Sequence, residues 1–144
     1  MQYRIYILEL TPWGCGFEGE VAGKCDNGAP IWFYYQGSDQ QAEIRFPVNQ
    51  WVTIELLGRL ASASIQANDI IKQTPHQHLK FPLHNCHFEA SGQIIDISQT
   101  PEDTIYLLQS NLPLPFDNEL GKSPISLGHW VNVTGELWVT NWMN

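Results

Sequence analysis

Charge is scarce in this sequence, and positive charge scarcest of all. Of its 144 residues only 15% are charged, and fifteen Asp and Glu stand against seven Lys and Arg, for a formal net charge of −8. Globular domains carry about 25% charged residues, so neutral amides, hydroxyls and exposed aromatics must complete this surface. So few bases give little of the positive field that draws in nucleic-acid backbones, which disfavours nucleic acid as a ligand unless the seven converge in space. The acid excess is spread along the chain, at −3 over residues 1–72 and −5 over 73–144, with no acidic tail and no basic block. Such a field favours a basic protein partner, or serves solubility alone.

Cysteine is also sparse. Three residues, Cys15, Cys25 and Cys86, do not make a disulfide framework. No apolar run approaches the roughly 20 residues of a membrane span, and the first ten residues lack the pattern of a secretory signal, so a cytoplasmic location and no membrane partner are expected. The Asn132-Val-Thr134 glycosylation pattern then reads as part of a strand.

Catalytic signatures are missing as well. There is no Gly-x-Ser-x-Gly, phosphate loop, dinucleotide fingerprint or His-Glu-x-x-His. Cys86 and His87 are adjacent, and neighbours on a strand point to opposite faces, so they make a poor nucleophile–base pair. Asp96, Glu102 and Asp103 read as surface acids. The expectation is a chain that is not an enzyme and takes no cofactor.

What is present is apolar and aromatic: 43% hydrophobic residues, with six Trp, six Phe and five Tyr. Short clusters of β-branched and aromatic residues alternate with turn formers, which is the signature of strands. Strands are expected over residues 3–10, 17–22, 31–36, 42–46, 51–57, 78–83, 87–90, 92–97, 104–109 and 130–140. A turn falls at 24–28, around Asn27-Gly28, and residues 92–97 alternate around a bulge, since Gly inside a strand marks bends. Pro113 and Pro115 confine 112–116 to an edge or an irregular segment. Residues 60–72, rich in Ala, Ser and Gln with apolar residues at helical spacing, read as a short helix or packed linker. Thr100-Pro-Glu-Asp103 reads as a single helical turn before the next strand.

The fold class is therefore mainly β: a small antiparallel barrel or sandwich with at most one or two short helices, forming one compact domain over 1–144. The order of features admits an internal duplication, 1–60 and 75–144 joined by 61–74. Phe17-Glu18 matches Phe88-Glu89 at an offset of 71, and Trp51-Val52 matches Trp130-Val131 at an offset of 79.

The stretches Gly92-Gln-Ile-Ile-Asp-Ile97, Ile105-Tyr-Leu-Leu108 and Gly128-His-Trp-Val-Asn-Val-Thr-Gly-Glu-Leu137 resemble OB-fold domains, and Trp51-Val-Thr-Ile-Glu-Leu56 extends the likeness to the first half. The resemblance implies a curved barrel that binds oligonucleotides, sugars or protein segments. Trp32, Phe33, Tyr34 and Tyr35 would supply stacking rings for single-stranded nucleic acid, or would alternate between core and surface.

Two groups of residues remain as candidate sites. His76, His78, His84 and Cys86 carry metal-capable donors, but their spacing matches no zinc motif, and a polar loop beside a half-buried Cys is the plainer reading. For binding, Glu18, Glu20 and Asp26 near Trp13, and Glu102, Asp103, Asp117 and Glu119 near Tyr106, would set acids around an aromatic anchor. In size, acidity and compartment the chain is similar to bacterial immunity proteins and toxin inhibitors. That likeness implies capture of a basic partner such as a nuclease toxin. The alternative is an OB-like domain for single-stranded nucleic acid or another extended ligand.

Overall fold

The computed structural model describes residues 1–66, 78–83 and 85–140. Among these described residues nine strands and one helix follow in order: β1 (Gln2–Pro12), β2 (Glu18–Cys25), β3 (Pro30–Gln36), α1 (Asp39–Arg45), β4 (Trp51–Ile65), β5 (His78–Lys80), β6 (His87–Gln99), β7 (Thr104–Gln109), β8 (Leu114–Asp117) and β9 (Trp130–Thr140). The mainly β expectation holds.

The pairing closes the strands into two rings. In the first, β1 pairs with β2 and β4, β2 with β3, β3 with β9, and β9 with β4. In the second, β6 pairs with β7 and β9, β7 with β8, β8 with β4, and β4 again with β9. All of these are antiparallel except two parallel bridges, Tyr34 to Trp138 and Gly58 to Phe116. Strands β4 and β9 thus belong to both rings, and each half closes on a strand of the other. Five strands closing on themselves is the OB-like arrangement.

The two rings share several local features, although α1 has no counterpart in the second and β5 none in the first. Strand β1 bulges between Ile7 and Glu9, and β6 bulges between Ile94 and Asp96. Ile7 N–H donates to Gln50 O and Ile94 N–H to His129 O, both at 2.9 Å. Asn49 N–H donates to Ile7 O and Gly128 N–H to Ile94 O, both at 2.8 Å, and both donors have positive φ, 66° and 85°. Trp51 pairs with Tyr6 as Trp130 pairs with Gln93, so the Trp-Val match at offset 79 falls on equivalent positions. The Phe-Glu match does not: Phe88 lies in β6, the counterpart of β1, while Phe17 precedes β2.

Alternation on the strands fills the rings. Ile5 and Ile7, Ile31, Phe33 and Tyr35, and Val131, Val133 and Leu137 point inward and are buried, while Arg4, Trp32 and Asn132 on the same strands point outward. Where the rings meet, two Phe side chains press on the backbone of β4. A Cβ built on Gly58 would lie 2.9 Å from Phe88 and 3.0 Å from Phe116.

Three local expectations are corrected. Residues 42–46 are not a strand but fall in and just beyond α1. Ser38 caps this helix, its Oγ accepting from Gln41 N–H at 3.1 Å, and its burial falls on Ala42 and on Phe46 at its end. Residues 60–65 are not helical but continue β4. There the ladder to β9 steps between Arg59 and Ser62, and Leu60 takes a φ of 49°; residues 67–72 lie outside the described residues. Thr100–Asp103 is a closed turn rather than a helix start, with Thr100 N–H donating to Asp103 O and Asp103 N–H to Thr100 Oγ1. The bulge expected within 92–97 is present, between Ile94 and Asp96. Gly92 itself is required by close approach, since a Cβ there would run into the Gln109 carbonyl oxygen.

Candidate functional site

The loop joining β1 to β2 folds back on itself. Trp13 N–H donates to Glu18 O at 3.0 Å and Gly37 N–H to Phe17 O at 2.6 Å. This sets the Trp13 ring edge-on against Tyr34, with centroids 5.2 Å apart. Tyr34 stands on the outer face of β3, opposite Glu20 on β2. It also meets Trp138 at 5.0 Å and His87 at 6.1 Å. The Arg59 guanidinium lies over the Trp138 ring at 5.8 Å. Glu136 is the partner of His87 across β6 and β9.

Beneath the cluster sits Cys86, fully buried, its thiol 4.0 Å from Glu20 Oε2. Burial, then Glu20, then Glu136 push this thiol well above the usual range, so it stays protonated and is a poor nucleophile or metal ligand. The Tyr34 hydroxyl is pushed up to about 12 by burial first, then by Cys86, Glu136 and Glu20. Both shifts report one feature: two carboxylates held close to a partly desolvated aromatic cluster.

His87 and Glu136 also border a groove of about 540 Å³. Its wall includes Leu60, Leu83 and Leu120, which are 45%, 69% and 56% exposed, with Glu89 at its margin. Leu60 is turned outward by the left-handed residue that forms the step in β4. Leu120 is held there by its loop: Asp117 Oδ1 accepts from Ala61 N–H at 3.1 Å, Asn118 Oδ1 from Ala63 N–H at 2.9 Å, and Leu120 N–H donates to Ala61 O at 2.9 Å. On the other side of this loop Glu102, Asp103, Tyr106, Asp117 and Glu119 line a second cleft of about 290 Å³.

The foreseen acidic residues therefore gather only in part. Trp13, Glu18 and Glu20 share one end of β2, and Glu18 Oε1 accepts from Gln36 Nε2 at 3.3 Å. Asp26 follows the other end, roughly 20 Å along the strand, and lines a separate cleft with Tyr3 and Arg4. The Glu102–Glu119 group does converge, although Tyr106 is stacked on Phe116 and Asp117 is engaged by backbone. His76 and His84 lie outside the described residues, as does the side chain of His78. Among the described residues no three His, Cys, Asp or Glu side chains meet in a way that could hold a metal ion. Trp32 packs outside the rings on Phe81, and Trp142 lies outside the described residues. Leu60, Leu83, Leu120, His87, Glu136 and Trp138 were not among the candidate binding residues. The usable signal was alternation, which sends Trp32 and Tyr34 to the face opposite Phe33 and Tyr35.

No family model matches this chain, and no curated protein matches it. Among solved structures it is similar to the cytoplasmic molybdate-binding protein ModG in a form with molybdate bound. The two share 10% identity at a TM-score of 0.52, over 97% of this chain and 96% of that one. The likeness is one of fold and runs the length of both chains. Among the described residues no helix is long and apolar enough to cross a membrane.

Proposed function

We propose that this chain is a non-catalytic binding protein, and that its partner is a basic protein whose docking segment is both cationic and apolar. The observation that carries this reading is the groove beside the Tyr34 cluster. Exposed Leu60, Leu83 and Leu120 line this groove together with Glu136 and with Glu89, which is paired to Lys80 at 3.4 Å, while Asp117 and Glu119 line the neighbouring cleft across the Leu120 loop. An apolar floor supplies contact area, and the surrounding carboxylates steer and orient a cationic segment. The net charge of −8 acts in the same sense. A protonated, buried Cys86 supports binding over chemistry. The fold likeness to a molybdate-binding protein is in keeping with a binder, although the carboxylates at this groove suit a cation and not an oxyanion. The positively charged surface of a toxin nuclease is one partner of the required kind, as size and acidity already suggested. Cytoplasm remains the proposed location.

The test is fluorescence anisotropy with a labelled amphipathic peptide of alternating Leu and Lys, beside a peptide with Glu in place of Lys. Saturable binding of the basic peptide alone, lost in Leu83→Asp and weakened in Glu136→Gln, is the expected result. Equal binding by the charge-reversed peptide, or by the Leu83→Asp protein, would overturn the reading.

A further inference from the structure

Arg59, Glu136 and His87 stand in register across β4, β9 and β6. Arg59 is the partner of Glu136 on one side, and His87 is its partner on the other. The acid thus lies between two bases, yet among the described residues no ion pair joins it to either. Arg59 is drawn aside, with its guanidinium over the Trp138 ring at 5.8 Å. His87 is exposed and meets Tyr34 edge to face at 6.1 Å, while Asn85 Oδ1 accepts from its backbone N–H at 2.9 Å.

The charge of the groove turns on this row. Among the described residues two carboxylates line it, Glu89 and Glu136. Glu89 Oε2 lies 3.4 Å from Lys80 Nζ, so its charge is already matched. Glu136 is left for a ligand. His87 lines the same groove, and imidazole is the ordinary side chain that changes charge between about pH 8 and 5. The other titratable groups around it are Glu136 on β9, Glu89 on its own strand with Lys80 from β5, Tyr34 on β3, and Glu20 and Cys86 behind Tyr34. Burial holds the Tyr34 hydroxyl and the Cys86 thiol in their protonated forms across this range. A proton on His87 therefore takes the described lining of the groove from one net negative charge to none.

We propose that His87 makes the groove an acid-released site, an inference that rests on the groove's reading as a site for a cationic, apolar segment. At pH 8 the neutral imidazole leaves Glu136 to the partner's ammonium or guanidinium. Near pH 5.5 the imidazolium faces Glu136 across the β6–β9 ladder, where opposite charges attract. It takes the place of the partner's cation and repels the positive charge that remains. The leucines of the wall are untouched by pH, so binding weakens and does not vanish. The loss is about two- to fivefold, the worth of one solvent-screened ion pair.

The experiment is fluorescence anisotropy of the full chain with the labelled Leu–Lys peptide at pH 8 and at pH 5.5, at equal ionic strength. The peptide is cationic at both values. The unaltered chain is expected to bind more weakly at pH 5.5, by the factor given above. His87→Gln should show one affinity at both values. His87→Lys, cationic throughout, should bind at pH 8 no better than the unaltered chain binds at pH 5.5. His129→Gln, outside the groove lining, should retain the acid loss, which separates His87 from a general titration of histidines. Equal binding by the unaltered chain at both pH values, or an acid loss that persists in His87→Gln, would overturn the proposal and leave the groove's reading standing. A peptide that binds at neither pH overturns both.

Discussion

Gly58 and Leu137 face each other on β4 and β9, at the point about which the two rings are arranged. The offset of 79 that carries Trp51 onto Trp130 also carries Gly58 onto Leu137. A single hydrogen lies on one strand and a fully buried side chain on the other, and Phe88 and Phe116 close over the gap. Gly58→Val should therefore destabilise the fold by about 1–3 kcal/mol through overpacking. Leu137→Ala should cost about 2–5 kcal/mol through the cavity it leaves. Urea unfolding followed by near-ultraviolet circular dichroism reads both.

The paired turns at Asn49 and Gly128 make a second prediction. Both residues hold the left-handed conformation, which a β-branched residue resists. Gly128→Val and Asn49→Val should each cost about 1–3 kcal/mol. Asn49→Gly should stay within about 0.5 kcal/mol of the original chain. Similar losses for all three in thermal melts would show that side-chain contacts, and not φ, decide these positions.

Asp117 separates charge from hydrogen bonding. Its Oδ1 accepts from Ala61 N–H and from Glu119 N–H. Asp117→Ala leaves those donors unmet and should cost about 1–3 kcal/mol. Asp117→Asn keeps an acceptor and should lose far less. The alanine variant should also weaken the basic peptide, because Leu120 is placed by the same loop.

Alkaline pH should unfold the protein through groups that must stay protonated. The Tyr34 hydroxyl rises from 10.0 to about 12 on folding. Below pH 10 it is protonated in both states and its contribution is intact. Between 10 and 12 the unfolded chain releases the proton and the folded chain keeps it, so stability falls as pH rises. Tyr3, Cys25 and Cys86 are raised as well, chiefly by burial, and act in the same direction. Urea midpoints measured from pH 9 to 12 should decline, and less steeply in Tyr34→Phe. A flat profile would show that these groups are open to solvent.

Strands were legible because alternation is local: residues 3–10, 31–36 and 104–109 announce two faces without reference to anything distant. Helix α1 was missed because Ala42, Ile44 and Phe46 alternate like a strand. The better signal was the Ser38-x-x-Gln41 cap, which satisfies the helix's first donors. Residues 60–65 carry helical spacing and small side chains, yet β9 supplies a ladder along them, and tertiary pairing outweighs weak propensity. Closure of each ring by the other's strand depends on pairings such as Tyr34 with Trp138, a hundred residues apart, to which no local pattern points. The site divides in the same way. Acids at Glu18 and Glu20, and from Glu102 to Glu119, were visible as composition. The groove between them is made by a backbone step at Leu60 and a loop clasp at Asp117, neither of which leaves a trace in spacing.

The shared strands also bear on the order of events during synthesis. The ribosome releases β1 to β4 long before β9, but the first ring cannot close until residues near Trp138 have emerged. The second waits for the same segment. Nascent chains should therefore carry open strand edges until β9 is free, and then gain protease resistance in one step instead of half by half. Stalled chains that stop short of β9 are the forms of this protein most exposed to aggregation.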